Sequence, residues 1–61
     1  MSAQFVLKFR EQFVRVVEGE REIAELVERL AATIFTSEAE AWHAAHRLQL
    51  YHEFCEVEAA S

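Results

Sequence analysis

Proline, aspartate and asparagine are absent from this chain, and glycine and cysteine occur once each, as Gly19 and Cys55. With no proline, one glycine, no internal repeat and no low-complexity tract, nothing has the composition of a linker. Residues 1–61 are therefore expected to form a single small domain. A lone cysteine makes no internal disulfide, so no covalent framework supplements a small core and nothing points to an oxidising compartment. The expected location is the cytoplasm. Long apolar runs are missing too: none approaches the roughly 18 residues of a membrane span. The opening MSAQFVLKF has no charged segment followed by a long apolar one, so the chain is expected to be unprocessed apart from Met1 and to have no membrane association. The absences also bear on catalysis. There is no Asp or Asn to orient a catalytic histidine and no glycine-rich loop to hold an oxyanion, and a chain this short leaves little room for a substrate cleft. The expectation is a protein that is not an enzyme and needs no cofactor.

What the chain does have is apolar surface to bury. Hydrophobic residues make up 52% of it, including five Phe, one Trp and one Tyr, which is too apolar for intrinsic disorder. A domain of this size buries only about 60% of the surface its unfolded chain exposes, so it should fold either alone or against a copy of itself as a homodimer. The net charge of -5 is unevenly spread. Residues 1–17 carry Lys8, Arg10 and Arg15 against Glu11, giving +2; residues 18–40 come to -5 and residues 41–61 to -2. Most of the surface should repel a phosphate backbone, which disfavours nucleic-acid binding outside a small basic strip.

Periodicity divides the chain. Thr36 or Ser37 stands before EAEAWHAAHRLQL, and Glu40 follows Ser37 by three positions, a capping-box arrangement that predicts a helix to about Leu50. Its small residues Ala41, Ala44 and Ala45 form a stripe with Leu48, flanked by Trp42. After it, Cys55, Val57 and Ala59 alternate with Phe54, Glu56 and Glu58, the period of a strand with one wet face. Before it, residues 33–35 form a short β-branched and aromatic run suited to a strand. The first 18 residues fit two patterns. They make an amphipathic helix with Phe5, Val6, Phe9, Phe13, Val16 and Val17 on one side, or two strands over about 4–9 and 12–18 with a turn at Arg10 and Glu11. The turn lacks the Gly or Asn that a tight hairpin prefers. Residues 20–32 are rich in helix formers, with Ile23, Leu26 or Val27, Leu30 and Ala31 at helical spacing, so propensity there says helix.

The stretches FVLKFREQFVRVVEGE, ATIFTSEAEAWHAAHRL and EFCEVEA together resemble a group of short, mostly uncharacterised proteins of phages, prophages and bacterial plasmids. Their layout is two strands joined by a turn, a variable connection, a short strand ending in Phe and Ser/Thr before an acidic helix, and a last strand. In this chain the helix start is Phe35, Thr36, Ser37, Glu38, Ala39, Glu40, Ala41. The resemblance covers nearly the whole chain through structural motifs, and departs where a glycine is expected at Arg10 or Glu11. It favours the two-strand reading of the N-terminus. The fold expected is α+β: a small antiparallel sheet, made of an N-terminal hairpin and two further strands, packed by one main helix. Residues 20–32 are then a helical or irregular connection. The competing fold is an all-α three-helix bundle. The expected core is Phe5, Leu7, Phe9, Val14, Val16, Ile34, Ala41, Ala45, Leu48, Cys55 and Val57.

Candidate chemistry centres on HAAHRLQLYHEFC, residues 43–55. His43, His46, His52 and Cys55 supply ligand types that zinc accepts. On a helical wheel, however, His43 and His46 lie at about 200° and 140° from Ala41, on the solvent side. His52 and Cys55, three apart in an expected strand, point to opposite faces. The favoured reading has no metal; a metal-binding or thiol-based protein is the alternative. The glutamates from Glu18, Glu20 and Glu22 onward either imitate the phosphate spacing of DNA or form a solvated face. Lys8, Arg10 and Arg15 are expected on the exposed face of the first hairpin, as partner contacts or as charges that guard an edge. Trp42 is either a core aromatic or an interface anchor. The function expected is a non-enzymatic protein-interaction module with an acidic surface, of the kind a phage or plasmid accessory protein uses on a host protein.

Overall fold

The computed structural model describes residues 3–60. Its strands are β1 (Phe5–Phe9), β2 (Gln12–Val17), β3 (Ile23–Val27) and β4 (Cys55–Ala59), its helix is α1 (Glu38–Arg47), and single 3-10 turns lie at Arg29–Ala31 and His52–Phe54. The strands form one antiparallel sheet in the order β3-β2-β1-β4. The chain is α+β, with the N-terminal hairpin the sequence favours, and not a helix bundle.

The hairpin is paired only at its turn end, where Lys8 faces Phe13 and Phe9 faces Gln12. Farther from the turn β1 and β2 diverge, and residues 33–35 fill the gap. Phe5 and Phe35 exchange hydrogen bonds through both N–H groups at 2.9 and 2.8 Å. Thr33 N–H donates to the Val14 carbonyl at 3.2 Å, and Val16 N–H donates to Thr33 Oγ1 at 2.8 Å. The short β-branched run, expected as a strand, makes only the single bridge Phe5↔Phe35, and it satisfies main-chain groups that the splayed hairpin leaves open.

Residues 20–32 correct the sequence expectation. Ile23–Val27 is a strand, paired with β2 from Phe13↔Val27 to Val17↔Ile23. Helix propensity is worth only tenths of a kcal/mol per residue, whereas β2 offers a complete row of unpaired main-chain groups on that side. The local preference loses. The loop at residues 18–22, with Gly19, turns the chain from β2 into β3.

One sheet face packs α1. Leu7, Val14 and Cys55 are buried against Ala41, Ala44, Ala45 and Phe35, with Phe5, Phe9, Val16, Leu48 and Val57 packed around them. Ala41 and Ala44 are fully buried, and their small side chains let the helix lie close over β1 and β4. Ile34 does not belong to this core: it is 48% exposed, because Thr33 and Phe35 point one way from the inserted segment and Ile34 the other. On the opposite face Val6 is buried although its neighbours in the alternation are polar. The segment after β3 covers it: Arg29 donates to Glu58 at 2.8 Å and to the Ala59 carbonyl at 2.7 Å on β4, and lies 5.6 Å from the Phe13 ring on β2. Arg29 therefore spans β1, and Ala32 beside it is buried.

The expected cap is present, in modified form. Ser37 Oγ accepts from Glu40 N–H at 3.1 Å, while the Glu40 carboxylate accepts from both the N–H (3.0 Å) and the hydroxyl of Thr36. These donors, the hydroxyl foremost, hold the Glu40 carboxyl below its ordinary pKa. The helix ends at Arg47 rather than near Leu50, because Gln49 adopts φ 59°. Leu50 N–H reaches back to the Ala45 carbonyl (3.0 Å) and Gln49 N–H to the His46 carbonyl (3.1 Å), the paired bonds of a Schellman ending. No Gly or Asn marks this stop in the sequence. Among the described residues the other non-glycine residue with positive φ is Arg10, at 56°, at the hairpin turn where glycine was expected.

Left-handed backbone costs a non-glycine residue about 1–2 kcal/mol and glycine's extra chain entropy returns about 0.5–1. Gln49→Gly should therefore stabilise the fold by up to about 1 kcal/mol, seen as a rise in Tm of about 4–8 °C. Arg10→Gly should gain less, because it also removes the guanidinium seated over Phe54. The lowered Glu40 pKa gives a second expectation. A carboxylate whose folded pKa is depressed stabilises the fold above its unfolded pKa, and that contribution is lost as pH falls through the folded value. In Thr36→Val the Glu40 carboxyl should titrate higher, part of the way back because the Thr36 N–H remains; an unchanged side-chain NMR titration would contradict this.

Candidate functional site

Among the described residues no polar or charged side chain is buried. Candidate functional groups are therefore on the surface, and the residues singled out from the sequence fall at several separate places on it.

Glu18, Glu20 and Glu22 occupy the exposed β2–β3 loop. Glu22 is drawn back to the helix end by Arg47, whose Nε donates to it at 3.1 Å. Glu18, Glu20 and, past β3, Glu28 have no ion-pair partner among the described residues. Lys8 and Arg15 lie on the face opposite α1, where each meets a glutamate: Lys8 with Glu58 at 3.7 Å and Arg15 with Glu25 at 3.8 Å. Arg29 is paired there as well. The cations of this face are largely compensated, which weakens it as a phosphate-binding strip. Arg10 stands apart in the hairpin turn. Its N–H bonds the Phe54 carbonyl at 2.8 Å, and its guanidinium sits 4.4 Å from the Phe54 ring, which itself meets the exposed Tyr51 edge-on. The acidic loop and Arg10 are at opposite ends of β2, so one small contact cannot use both.

Trp42 is half-buried on α1, with its ring 4.6 Å from that of His52. Together with Ala45, His46 and Leu50 these two rings line a small notch of about 240 Å³. His43 is elsewhere on the exposed side of the helix, and Cys55 is buried in the core. His52 lies in a 3-10 turn and β4 begins only at Cys55, so the two residues do not share a strand. Among the described residues no three His, Cys or Glu groups are close enough to share a metal ion. Burial pushes the Cys55 thiol above its ordinary pKa, the direction that suppresses a nucleophilic thiolate.

The feature that sequence reasoning missed is β3 itself. None of its residues is buried: Leu26, on the α1 face, is 44% exposed because α1 covers β1 and β4 and leaves β3 projecting beyond it, and Ile23, 51% exposed, lies on the opposite face with Glu25 and Val27. Between β3 and the end of α1 lies an open groove of about 640 Å³, lined in part by Glu22, Ile23, Ala24, Arg47 and Leu48. No period-two signal marks it, since Ile23, Glu25 and Val27 share one face with a charge between two apolar residues and Ala24 and Leu26 share the other, while the helix formers around it give a regular helical pattern.

Native Cys55 should react with iodoacetamide at least about tenfold more slowly than in denaturant, and faster only as pH rises above the ordinary thiol range. Equal native and denatured rates at neutral pH would show an accessible thiolate instead. Comparison of this chain with protein-family models, curated proteins and solved structures finds no match.

Proposed function

We propose that this chain is a non-enzymatic protein-interaction module that offers an acidic surface to another protein, in the manner of a phage or plasmid accessory protein acting on a host protein. The observation that carries this reading is the company of β3: exposed Ile23 and Leu26 beside Glu18, Glu20 and Glu28, which make no ion pair among the described residues. Apolar side chains supply contact area at an interface, while surplus charge steers the approach and selects the partner by sign. The described residues offer no convergent buried polar groups that would favour catalysis. The alternative metal or thiol reading rests on His46 and His52 sharing one notch, and His43 and Cys55 do not join them there.

The test is a pair of surface variants in a cross-linking capture from host lysate. Ile23→Thr with Leu26→Thr, which places strand-favouring β-branched residues at both positions, and charge reversal of Glu18, Glu20 and Glu22 to Lys should each weaken a captured partner at least about tenfold. A captured partner indifferent to both sets would remove this surface from the reading, and indifference to the charge reversal alone would remove mimicry of DNA. Stoichiometric zinc on the purified protein would favour the alternative.

A further inference from the structure

The main chain of β3 presents an open edge whose bonding parity is fixed by the rest of the sheet. Val14 gives its carbonyl, and Val16 its N–H, to Thr33 on the side away from β3. Successive residues of a strand turn their main-chain groups to opposite sides. Phe13, Arg15 and Val17 therefore bond β3, and their partners Val27, Glu25 and Ile23 turn toward β2. Ala24 and Leu26 are left with N–H and C=O directed outward from the terminal strand of the sheet, and among the described residues nothing bonds them.

The other edge is different. The Ala60 N–H bonds the Gln4 carbonyl, so Ala59 turns outward from β4, and Arg29 donates to its carbonyl at 2.7 Å. Among the described residues, Ala59 on the β4 edge has this side-chain cap and the outward-facing Val57 has none, while on the β3 edge neither outward residue is capped. A groove lined in part by Arg21, Ile23, Ala24, Arg47 and Leu48 flanks the β3 edge.

From this geometry we infer that β3 is a strand-addition site: it takes an extended, lysine- or arginine-rich segment of another protein as a further strand, bonded to Ala24 and Leu26. The inference rests on the interaction-module reading and specifies its mode. Charge selects the occupant. Glu22, Glu25 and Glu28 lie in or beside the strand and Glu18 and Glu20 in the loop before it, five carboxylates against Arg21 in that loop and Arg47 at the groove, and among the described residues only Glu22 and Glu25 of the five make ion pairs. The chain's net charge of -5 draws a basic segment from a distance as well. Leu26 and Ile23 provide apolar contact on opposite faces of the added strand's neighbour. A second copy of this chain is a poorer occupant. Pairing β3 with itself so that Ile23 meets Val27 and Ala24 meets Leu26 sets Glu25 directly against Glu25 of the copy, a like-charge pair at close range.

The probe is a synthetic peptide of alternating lysine and valine, added to the intact protein and followed by amide hydrogen exchange and NMR titration. Saturable binding should slow exchange at Ala24 and Leu26 by about tenfold or more while leaving Glu25, already bonded to β2, little changed. N-methylation of the peptide at every second residue should abolish binding in one parity and spare it in the other, since only one parity faces β3. This control leaves the protein untouched. Glu20→Lys with Glu28→Lys should weaken binding about tenfold at low salt, and added salt should weaken the wild type likewise.

No protection at Ala24 and Leu26, equal binding by both N-methyl parities, or equal binding of a glutamate–valine peptide would overturn the inference. So would concentration-dependent protection of those amides without peptide, which would make the occupant a second copy. If the peptide fails while Ile23 and Leu26 still govern capture of a lysate partner, strand addition falls and the interaction reading stands. If the peptide succeeds, a failed capture leaves the site intact and questions only the choice of partner.

Discussion

The reciprocal hydrogen bonds between Phe5 and Phe35 determine where the rest of the chain can go. They draw residues 33–35 between the diverging arms of the first hairpin, so the chain enters α1 from within the sheet rather than from its margin. With Phe35 in the core and Ser37 capping three residues before Glu40, the helix begins directly above β1. It then runs over β1 and β4 with its alanines against Leu7 and Cys55. The cover ends there. β3, on the far side of β2, receives main-chain bonds from the sheet but little packing from the helix. The exposure of Leu26 thus follows from the position of the inserted segment.

The same segment explains the unequal distribution of charge. Between β3 and Thr33 the chain has to recross the face opposite α1, and Arg29 is the residue that bridges it, joining Glu58 on β4 to the Phe13 ring on β2. Its contacts, with those of Lys8 and Arg15, leave that face close to neutral. In the β2–β3 loop three glutamates stand with Arg21, and Arg47 of α1 pairs with Glu22. With Glu28 just beyond it, β3 is thus left with an acidic flank. Exposed ion pairs of this kind contribute about 0–1 kcal/mol each, so their importance lies in the field they create more than in holding the sheet together.

How much of this was legible in the sequence depends on how local each cause is. The helix start could be read because Thr36, Ser37 and Glu40 form a short-range cap. β4 could be read because Cys55, Val57 and Ala59 alternate with glutamates. The helix end could not, because Gln49 takes a left-handed conformation that nothing but the bonds to Ala45 and His46 requires. The hairpin was legible in its strands but not in its turn, for a similar reason at Arg10. β3 was misread because its decisive interaction is with β2: the residues show a helical period and no strand alternation, and only the vacant side of β2 draws them into the sheet. Ile34 and Val6 exchanged their expected environments because the inserted segment turns Ile34 outward while the Arg29 crossing buries Val6. For the candidate surface, the acidic loop was visible as composition. The edge beside it was not, since its existence depends on the same long-range pairing.

These constraints also set where the fold is weakest. The fully buried large side chains are Leu7, Val6 and Val14, on the central strands. β3 adds none of its residues to the buried core, and its partner on one side is β2 alone. Local opening is easiest where few apolar contacts must be broken, which makes β3 the strand most easily released from this sheet. A strand added at its edge would bond the outward groups of Ala24 and Leu26 and shield Ile23 and Leu26 from water. Binding and ordering would then draw on the same contacts. An exposed acidic edge is thereby reconciled with a stable small domain: the interactions that secure the core lie on β1, β2 and β4, and the strand left outside them is free to present its edge.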